Sequence, residues 1–189
     1  MDQHDDGLEA FLRDQDADVL ASVLLELAQD YDVVARRLSR LRLANQPALV
    51  ASQFREILAR WRRDDKYLKF PESSHFGTEL EIWLEQVERE LMATDPSAVL
   101  ELAEAFIEAD ADFFERVDDS YGDIGRAMEA ACGLWLCAAS RCKTPAGGWL
   151  TRLMELLSQD NYGGRHALLR DAGKLLDQSD VSRLDERLY

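Results

Sequence analysis

Apolar residues recur along most of the chain at spacings of three and four, which place side chains on one face of an α-helix. The pattern begins in DVLASVLLELAQ and returns in several later segments. The stripes are Val19, Leu20, Val23, Leu24, Leu27; Val33, Val34, Leu38, Leu41; Val50, Phe54, Ile57, Leu58, Trp61; Leu80, Trp83, Leu84, Val87, Leu91; and Val99, Leu102, Phe106, Ile107. No segment shows the alternation with a period of two that is typical of a strand. The pattern therefore predicts an all-α protein.

The prolines support this prediction, because they lie between the periodic segments and not inside them. Proline breaks a helix interior but suits the first turn of a helix. The four prolines are Pro47, Pro71, Pro96 and Pro145. We expect about ten helices, near residues 8–14, 17–29, 31–43, 47–64, 74–92, 96–109, 111–117, 121–141, 146–158 and 163–176, with a further one near 180–187. Short links predict antiparallel neighbours.

The segment IGRAMEAACGLWLCAAS is the least polar part of the chain. A helix that is apolar on most sides is buried on several sides. We therefore expect the helix near 121–141 to lie at the centre of the domain.

Length and composition are those of a globular protein, with 189 residues, 47% of them hydrophobic and 31% charged. We expect a single all-helical domain over residues 1–189, with sub-units at 1–70 and 71–189. No apolar run is long enough for a transmembrane helix, and the acidic N-terminus is unlike a signal peptide. These features predict a cytoplasmic protein without membrane partners. Cys132, Cys137 and Cys142 lack metal or disulfide spacing and are interpreted as reduced structural thiols.

Charge is unevenly distributed, although the net charge is −15. Residues 1–32 carry 10 acidic and 1 basic side chains, whereas residues 33–70 carry 3 acidic and 10 basic ones. The acidic total disfavours general affinity for nucleic acid, which depends on neutralising phosphates. The basic segment 33–70 is the exception. Its candidate anion- or partner-binding residues are Arg36, Arg37, Arg40, Arg62, Arg63 and Lys66.

The stretch RVDDSYGDIGRAMEA crowds acids, glycines and a tyrosine before the predicted central helix. A calcium loop needs oxygen ligands at positions 1, 3, 5 and 12 and glycine at position 6, and no register of this stretch supplies them. We interpret it as a helix start, in which Ser120 and Asp123 form a variant capping box. The carboxylate of Asp119 would be stabilised by the positive end of the helix dipole, and Gly122 would allow the chain to turn. Asp95 and Thr144, each before a proline, are predicted caps.

This stretch has an echo, because SYGDIGRAMEAA is followed 41 residues later by NYGGRHALLRDA. Asn161 and Gly163 take the places of Ser120 and Gly122, and we expect them to mark a second helix start. A period near 40 residues is typical of two-helix repeats. The echo therefore predicts antiparallel helix pairs stacked as a solenoid-like superhelix of the HEAT or TPR kind.

Three blocks carry a resemblance: LLELAQDYDVVARRL, FIEADADFFERVDDSYGDIG and DNYGGRHALLRDAGKLL. They resemble a bacterial helical-repeat family of unknown function, whose helices are related to those of proteins with a SWIM-type zinc finger. The resemblance implies a helical fold and no activity. The CxC…CxH zinc ligands are absent here, so it implies no zinc site.

Catalytic motifs are missing from the sequence: there is no HExxH, GxSxG, GxxxxGK[ST] or GxGxxG. We predict no enzyme, no cofactor and no metal site. The preferred hypothesis is a non-catalytic protein-interaction or scaffold module with an unknown protein or peptide partner, and a homodimer is left open. The alternative is binding of an anionic ligand or nucleic acid through residues 33–70, although nucleic acid is disfavoured by the net charge. The basic side chains could equally pair with acidic helices of the same chain.

Overall fold

The computed structural model describes the backbone of residues 3–188 and the side chains of residues 7–184. Within that range the protein is all-helical, as predicted, and contains no strand. The helices are α1 (Gln3–Arg13), α2 (Ala17–Asp30), α3 (Asp32–Arg42), α4 (Pro47–Arg63), α5 (Glu72–Leu91), α6 (Pro96–Ile107), α7 (Asp110–Phe114), α8 (Asp123–Ala139), α9 (Gly148–Ser158), α10 (His166–Arg170) and α11 (Gln178–Leu188).

Most helices lie within a few residues of their predicted positions, and the clearest difference is at 163–176. There, α10 ends at Arg170 and a short 3-10 turn follows over Ala172–Lys174. Gly173 lies in that turn, and glycine is a poor helix former because it loses the most backbone freedom.

The chain divides into two compact units, Met1–Asn45 and Gln46–Tyr189. The second unit begins with α4, which packs against α5 and α6. We call these the N-terminal unit and the C-terminal unit.

The N-terminal unit contains α1, α2 and α3, and α2 packs against α3. The carboxylate of Asp16 caps α2 by accepting the Asp18 N–H at 2.8 Å. The helices form as their periodicity predicts, but none of the apolar side chains described in residues 7–45 is buried. A pair of packed helices covers an apolar side chain from one direction only, so α2 and α3 do not enclose a core.

The C-terminal unit has its core around α8, which packs against α5, α6, α7 and α10. Eleven residues of α8 are buried, which confirms the prediction of a central helix. Gly77 of α5 allows the close approach, because a Cβ at that position would lie 2.6 Å from the Cβ of Asp123.

A chain of aromatic rings fills the space between α4, α5, α6 and α7. Trp83 meets Phe54 edge-on, with ring centroids 5.7 Å apart, and stacks on Phe106 at 5.6 Å. Phe106 in turn contacts Phe113 at 5.1 Å. These ring contacts stabilise the core in addition to the burial of apolar surface.

Candidate functional site

The echoed stretches form two corners that share a left-handed glycine. Gly122 and Gly163 both take the left-handed conformation, with φ of 71° and 73°. In each corner the aspartate three residues before the glycine accepts backbone N–H groups, and Asp119 thereby caps α8. Asp119 accepts the N–H groups of residues 124 and 125, and Asp160 accepts those of residues 164 and 165. The echo is therefore a repeated turn, and the carboxylate of each corner is occupied by backbone N–H groups.

The capping-box interpretation of Ser120 and Asp123 is wrong. The Ser120 hydroxyl donates to the Asp118 carboxylate, and the Asp123 carboxylate accepts from the guanidinium of Arg126. The left-handed turn at Gly122 brings Asp119 over the helix start, so its carboxylate takes the free N–H groups.

The other predicted caps have mixed outcomes. Asp95 accepts the Ala98 N–H at 3.0 Å, which confirms it as the cap of α6. Thr144 does not cap, because α9 begins later, at Gly148, after a turn in which Pro145 accepts the Gly148 N–H. The Asn161 side chain donates to the carbonyl of Gln159, 3.3 Å away, and makes no cap bond.

The predicted basic segment is divided between the two units. Arg36, Arg37 and Arg40 lie on α3, and Arg40 is buried with 2% exposure. Arg36 and Arg37 are exposed and form no ion pair with any described residue.

The remaining basic candidates lie in the C-terminal unit. Arg62 and Arg63 end α4, Lys66 follows shortly after it, and two of the three form ion pairs. Arg62 Nε lies 2.7 Å from Asp112 Oδ2, and Lys66 Nζ lies 2.9 Å from Glu72 Oε1. Arg63 donates to the carbonyl of Ala59. Within the C-terminal unit, Arg62 and Lys66 therefore already have carboxylate partners.

A buried ion pair was missed by sequence reasoning. Arg165 is 2% exposed, and its Nε and Nη2 both lie 3.0 Å from Asp110 Oδ2. Its Nη1 donates to the carbonyl of Leu156. Asp110 is also buried and accepts the Ala111 N–H. The pair is fully hydrogen-bonded, as a buried pair must be, and leaves no group free for catalysis.

A second network joins α6 and α9. The guanidinium of Arg152 contacts the carboxylates of Glu104, Glu108 and Glu155. The hydrogen bond to Glu104 is the main reason that the pKa of Arg152 is raised. Glu104 also accepts the indole N–H of Trp135 at 2.9 Å. The glutamates are held by one cation, so this network is interpreted as structural.

Cys132 is the one fully buried thiol in the described part of the chain. Burial raises its pKa from the ordinary 9.0 to about 12, and this outweighs the opposing influence of Arg165. A thiol that stays protonated is a poor nucleophile. Cys132 therefore packs as an apolar residue.

Two open grooves lie on the C-terminal unit. One, of about 590 Å³, runs between the end of α4 and the start of α5. It carries three acids, Asp64, Glu72 and Glu79, beside basic side chains, so it has no single sign of charge. The other, of about 260 Å³, lies between α5 and α8 and is lined by Glu81, Glu85, Glu88, Leu84, Ala130, Gly133, Leu134 and Cys137. Among the described residues, no three His, Cys, Asp or Glu side chains are grouped to hold a metal ion.

The most distinctive surface lies on the N-terminal unit. Eleven large apolar side chains of residues 7–45 are exposed by 39% to 68%. We call this set the N-terminal apolar surface; it comprises Leu8, Phe11, Leu12, Val19, Val23, Leu24, Leu25, Leu27, Tyr31, Val33 and Leu41. No helix in the described range is both long and apolar enough to span a membrane. Six of these residues lie on the apolar stripes predicted from the sequence, and the pattern did not indicate that the stripes stay uncovered: Val19, Val23, Leu24, Leu27, Val33 and Leu41.

Comparison with known proteins places the chain in a family. The family model described as "Family of unknown function (DUF6880)" matches residues 9–189. No curated protein and no solved structure matches the chain. Because the match covers nearly the whole sequence, the chain belongs to the DUF6880 family of unknown function.

Proposed function

We propose that the protein is a non-catalytic protein-interaction module, and that the N-terminal apolar surface is where it binds a partner. The observation that carries the proposal is that α2 has no buried residue although it is rich in leucine and valine. Soluble proteins seldom expose large contiguous apolar areas unless another molecule covers them.

The distribution of apolar residues around α2 supports this. At 100° per residue, Val19, Leu24 and Leu25 mark an apolar arc of about two-thirds of the helix circumference. A helix that packs on one neighbour needs a stripe closer to one-third of its circumference. The contact with α3 therefore accounts for only part of the arc, and the remainder is free for a partner.

The alternative function, binding of an anionic ligand or nucleic acid through residues 33–70, has less support. Arg62 and Lys66 are paired with carboxylates, and Arg40 is buried. Arg36 and Arg37 stay available on α3, but two exposed arginines beside an apolar surface are also common at the rim of a protein interface.

Several finer expectations stay predictions. They are the solenoid-like stacking of helix pairs, the cytoplasmic location and the relation to the helices of SWIM zinc-finger proteins. The two matching corners support the first of these, because a repeated turn is what a stacked helix-pair repeat contains.

The proposal is tested by affinity capture of the tagged full chain from its native cells, followed by mass spectrometry. We expect the wild-type chain to recover a protein, either another species or the untagged chain itself. The variant V23E/L24E should lose it, since two charges would have to be buried. The matched control L49E/I82E places the same charges on exposed apolar positions of the C-terminal unit and should keep it. Equal recovery by both variants would refute the assignment to this surface.

A further inference from the structure

We infer that the N-terminal apolar surface is covered by the same surface of a second copy of this chain, so that two α2–α3 hairpins pair as a four-helix bundle. The inference rests on the proposed function and identifies the partner. Three observations support it.

The first observation is that the N-terminal unit cannot be stable as an isolated body. None of the large apolar side chains described in residues 7–45 is buried, so the unit lacks a hydrophobic core of its own. Units of about 40 residues seldom fold without disulfides, metals or oligomerisation. The described residues of this unit contain no cysteine. Association with another apolar surface supplies the missing core.

The second observation concerns what surfaces the chain has to offer. In the described part of the C-terminal unit the exposed large apolar side chains are Leu49, Tyr67, Phe70, Ile82, Tyr121 and Tyr162. They are fewer, half of them are tyrosines, and Phe70 and Tyr121 already pack on each other with ring centroids 5.0 Å apart. The aliphatic surface that matches α2 and α3 is therefore that of α2 and α3 in another copy.

The third observation is charge complementarity between the two helices of the hairpin. Asp18, Glu26 and Asp30 give α2 three acids and no base. The exposed charges of α3 are mainly basic and include Arg36, Arg37 and Arg42. In a two-fold dimer each patch meets the same patch of its partner, so α2 of one copy can lie against α3 of the other. The acids of α2 in each copy then lie near the arginines of α3 in the other copy, once on each side of the two-fold axis.

The size of the surface is also adequate. The eight large apolar side chains of the α2–α3 hairpin, each about half exposed, present roughly 700 Å², and Leu8, Phe11 and Leu12 of α1 extend this area. A stable interface buries roughly 800 Å² per partner. Two hairpins that share such an area form the antiparallel helix packing of a four-helix bundle.

The first measurement is sedimentation equilibrium of the full chain. We expect a reversible dimer of twice the 21.5 kDa chain mass. The V23E/L24E variant should raise the dimer dissociation constant by at least about 30-fold, as loss of a central apolar contact does. The control L49E/I82E should leave it unchanged. A wild-type chain that stays monomeric at 100 μM would overturn the inference.

The second measurement exploits the charge pattern. R36E/R37E makes α3 acidic, and E26K/D30K makes α2 basic, so each variant alone should lose self-association through like-charge repulsion. An equimolar mixture should recover a heterodimer, because the reversed α3 of one chain meets the reversed α2 of the other. Failure of the mixture to associate, with both variants helical by circular dichroism, would overturn the inferred pairing of α2 with α3.

Failure of this inference can be told apart from failure of the proposed function. For a monomeric wild-type chain, amide hydrogen exchange of α2 and α3 is measured. Fast exchange would mean that the apolar surface is free, so the second copy is excluded while a different partner stays supported. Strong protection in the monomer would mean that the chain covers its own surface, and both proposals would fall.

Discussion

At the scale of single residues, the second corner carries a buried arginine, Arg165, at the position where the first corner carries the apolar residue Ile124. Arg165 follows Asp160 at the same spacing as Ile124 follows Asp119, and both side chains are buried. Ile124 needs no partner. Arg165 is tolerated because Asp110 and the carbonyl of Leu156 receive its donors.

The buried pair predicts an asymmetric mutational response. Asp110→Ala leaves a buried guanidinium without its counter-charge, and we expect a loss of about 3–5 kcal/mol in the free energy of unfolding. Asp110→Leu combined with Arg165→Met should recover most of that loss, because an apolar pair of similar volume avoids the desolvation cost. Urea denaturation of the variants measures both quantities.

The matched control is the exposed pair Arg55–Glu101, whose atoms lie 2.7 Å apart while the side chains are 49% and 66% exposed. Glu101→Ala should cost less than about 1 kcal/mol, because solvent screens the pair. Equal losses for Asp110→Ala and Glu101→Ala would contradict the structural role of the buried pair.

Cys132 makes the stability depend on pH in a predictable direction. Its folded pKa of about 12 exceeds the ordinary 9.0. Above pH 9 the unfolded chain therefore loses a proton that the folded chain keeps, and stability falls as pH rises. Cys132→Ala should cost about 1–2 kcal/mol at pH 8 through the lost packing. By pH 10.5 the wild type should have lost about 2 kcal/mol that the variant keeps, so the deficit should vanish or reverse. A deficit that is constant between the two pH values would contradict the burial of the thiol.

At the scale of elements, the repeated corner shows how a helix start is determined by backbone conformation as well as by residue type. Left-handed Gly122 folds the chain back, so that the carboxylate of Asp119, from outside the helix, reaches the free N–H groups of α8. Serine and aspartate are also common caps, which made Ser120 and Asp123 reasonable choices. The turn moved that role to Asp119.

This reassignment predicts a difference between neighbouring substitutions. Asp119→Ala removes the acceptor of the N–H groups of Ile124 and Gly125, and we expect a loss of about 1–2 kcal/mol. Ser120→Ala removes only an exposed bond to Asp118 and should cost less than about 0.5 kcal/mol. Thermal unfolding followed by circular dichroism compares them. A larger effect at Ser120 than at Asp119 would restore the capping box.

At the scale of the whole molecule, the two units differ in how they are stabilised. The C-terminal unit encloses a core in which Phe54, Trp83 and Trp135 are 3% exposed or less. The N-terminal unit has helices but no described buried apolar residue. Stability is therefore unequal along the chain, and local opening should begin in α1–α3.

Amide hydrogen exchange at two protein concentrations tests this view of the whole molecule. We expect the amides of α2 and α3 to exchange faster at low protein concentration, because dilution dissociates the dimer that protects them. The amides of α8 should be unaffected, since their protection arises within one chain. Concentration-independent exchange of α2 and α3 would contradict stabilisation by a second copy.

The sequence by itself determined the all-α class, the approximate ends of most helices and the burial of α8. These follow from periodicity, proline positions and local composition, which act over neighbouring residues. Only the tertiary structure decided that Arg165 pairs with Asp110, that Arg62 and Lys66 are neutralised and that Asp119 caps α8. It also decided that the apolar stripe of α2, which sequence reasoning assigns to a core, lies exposed. The physical reason is that contacts between distant segments depend on how the chain turns and packs, and the pattern of a helix does not specify which surface covers it.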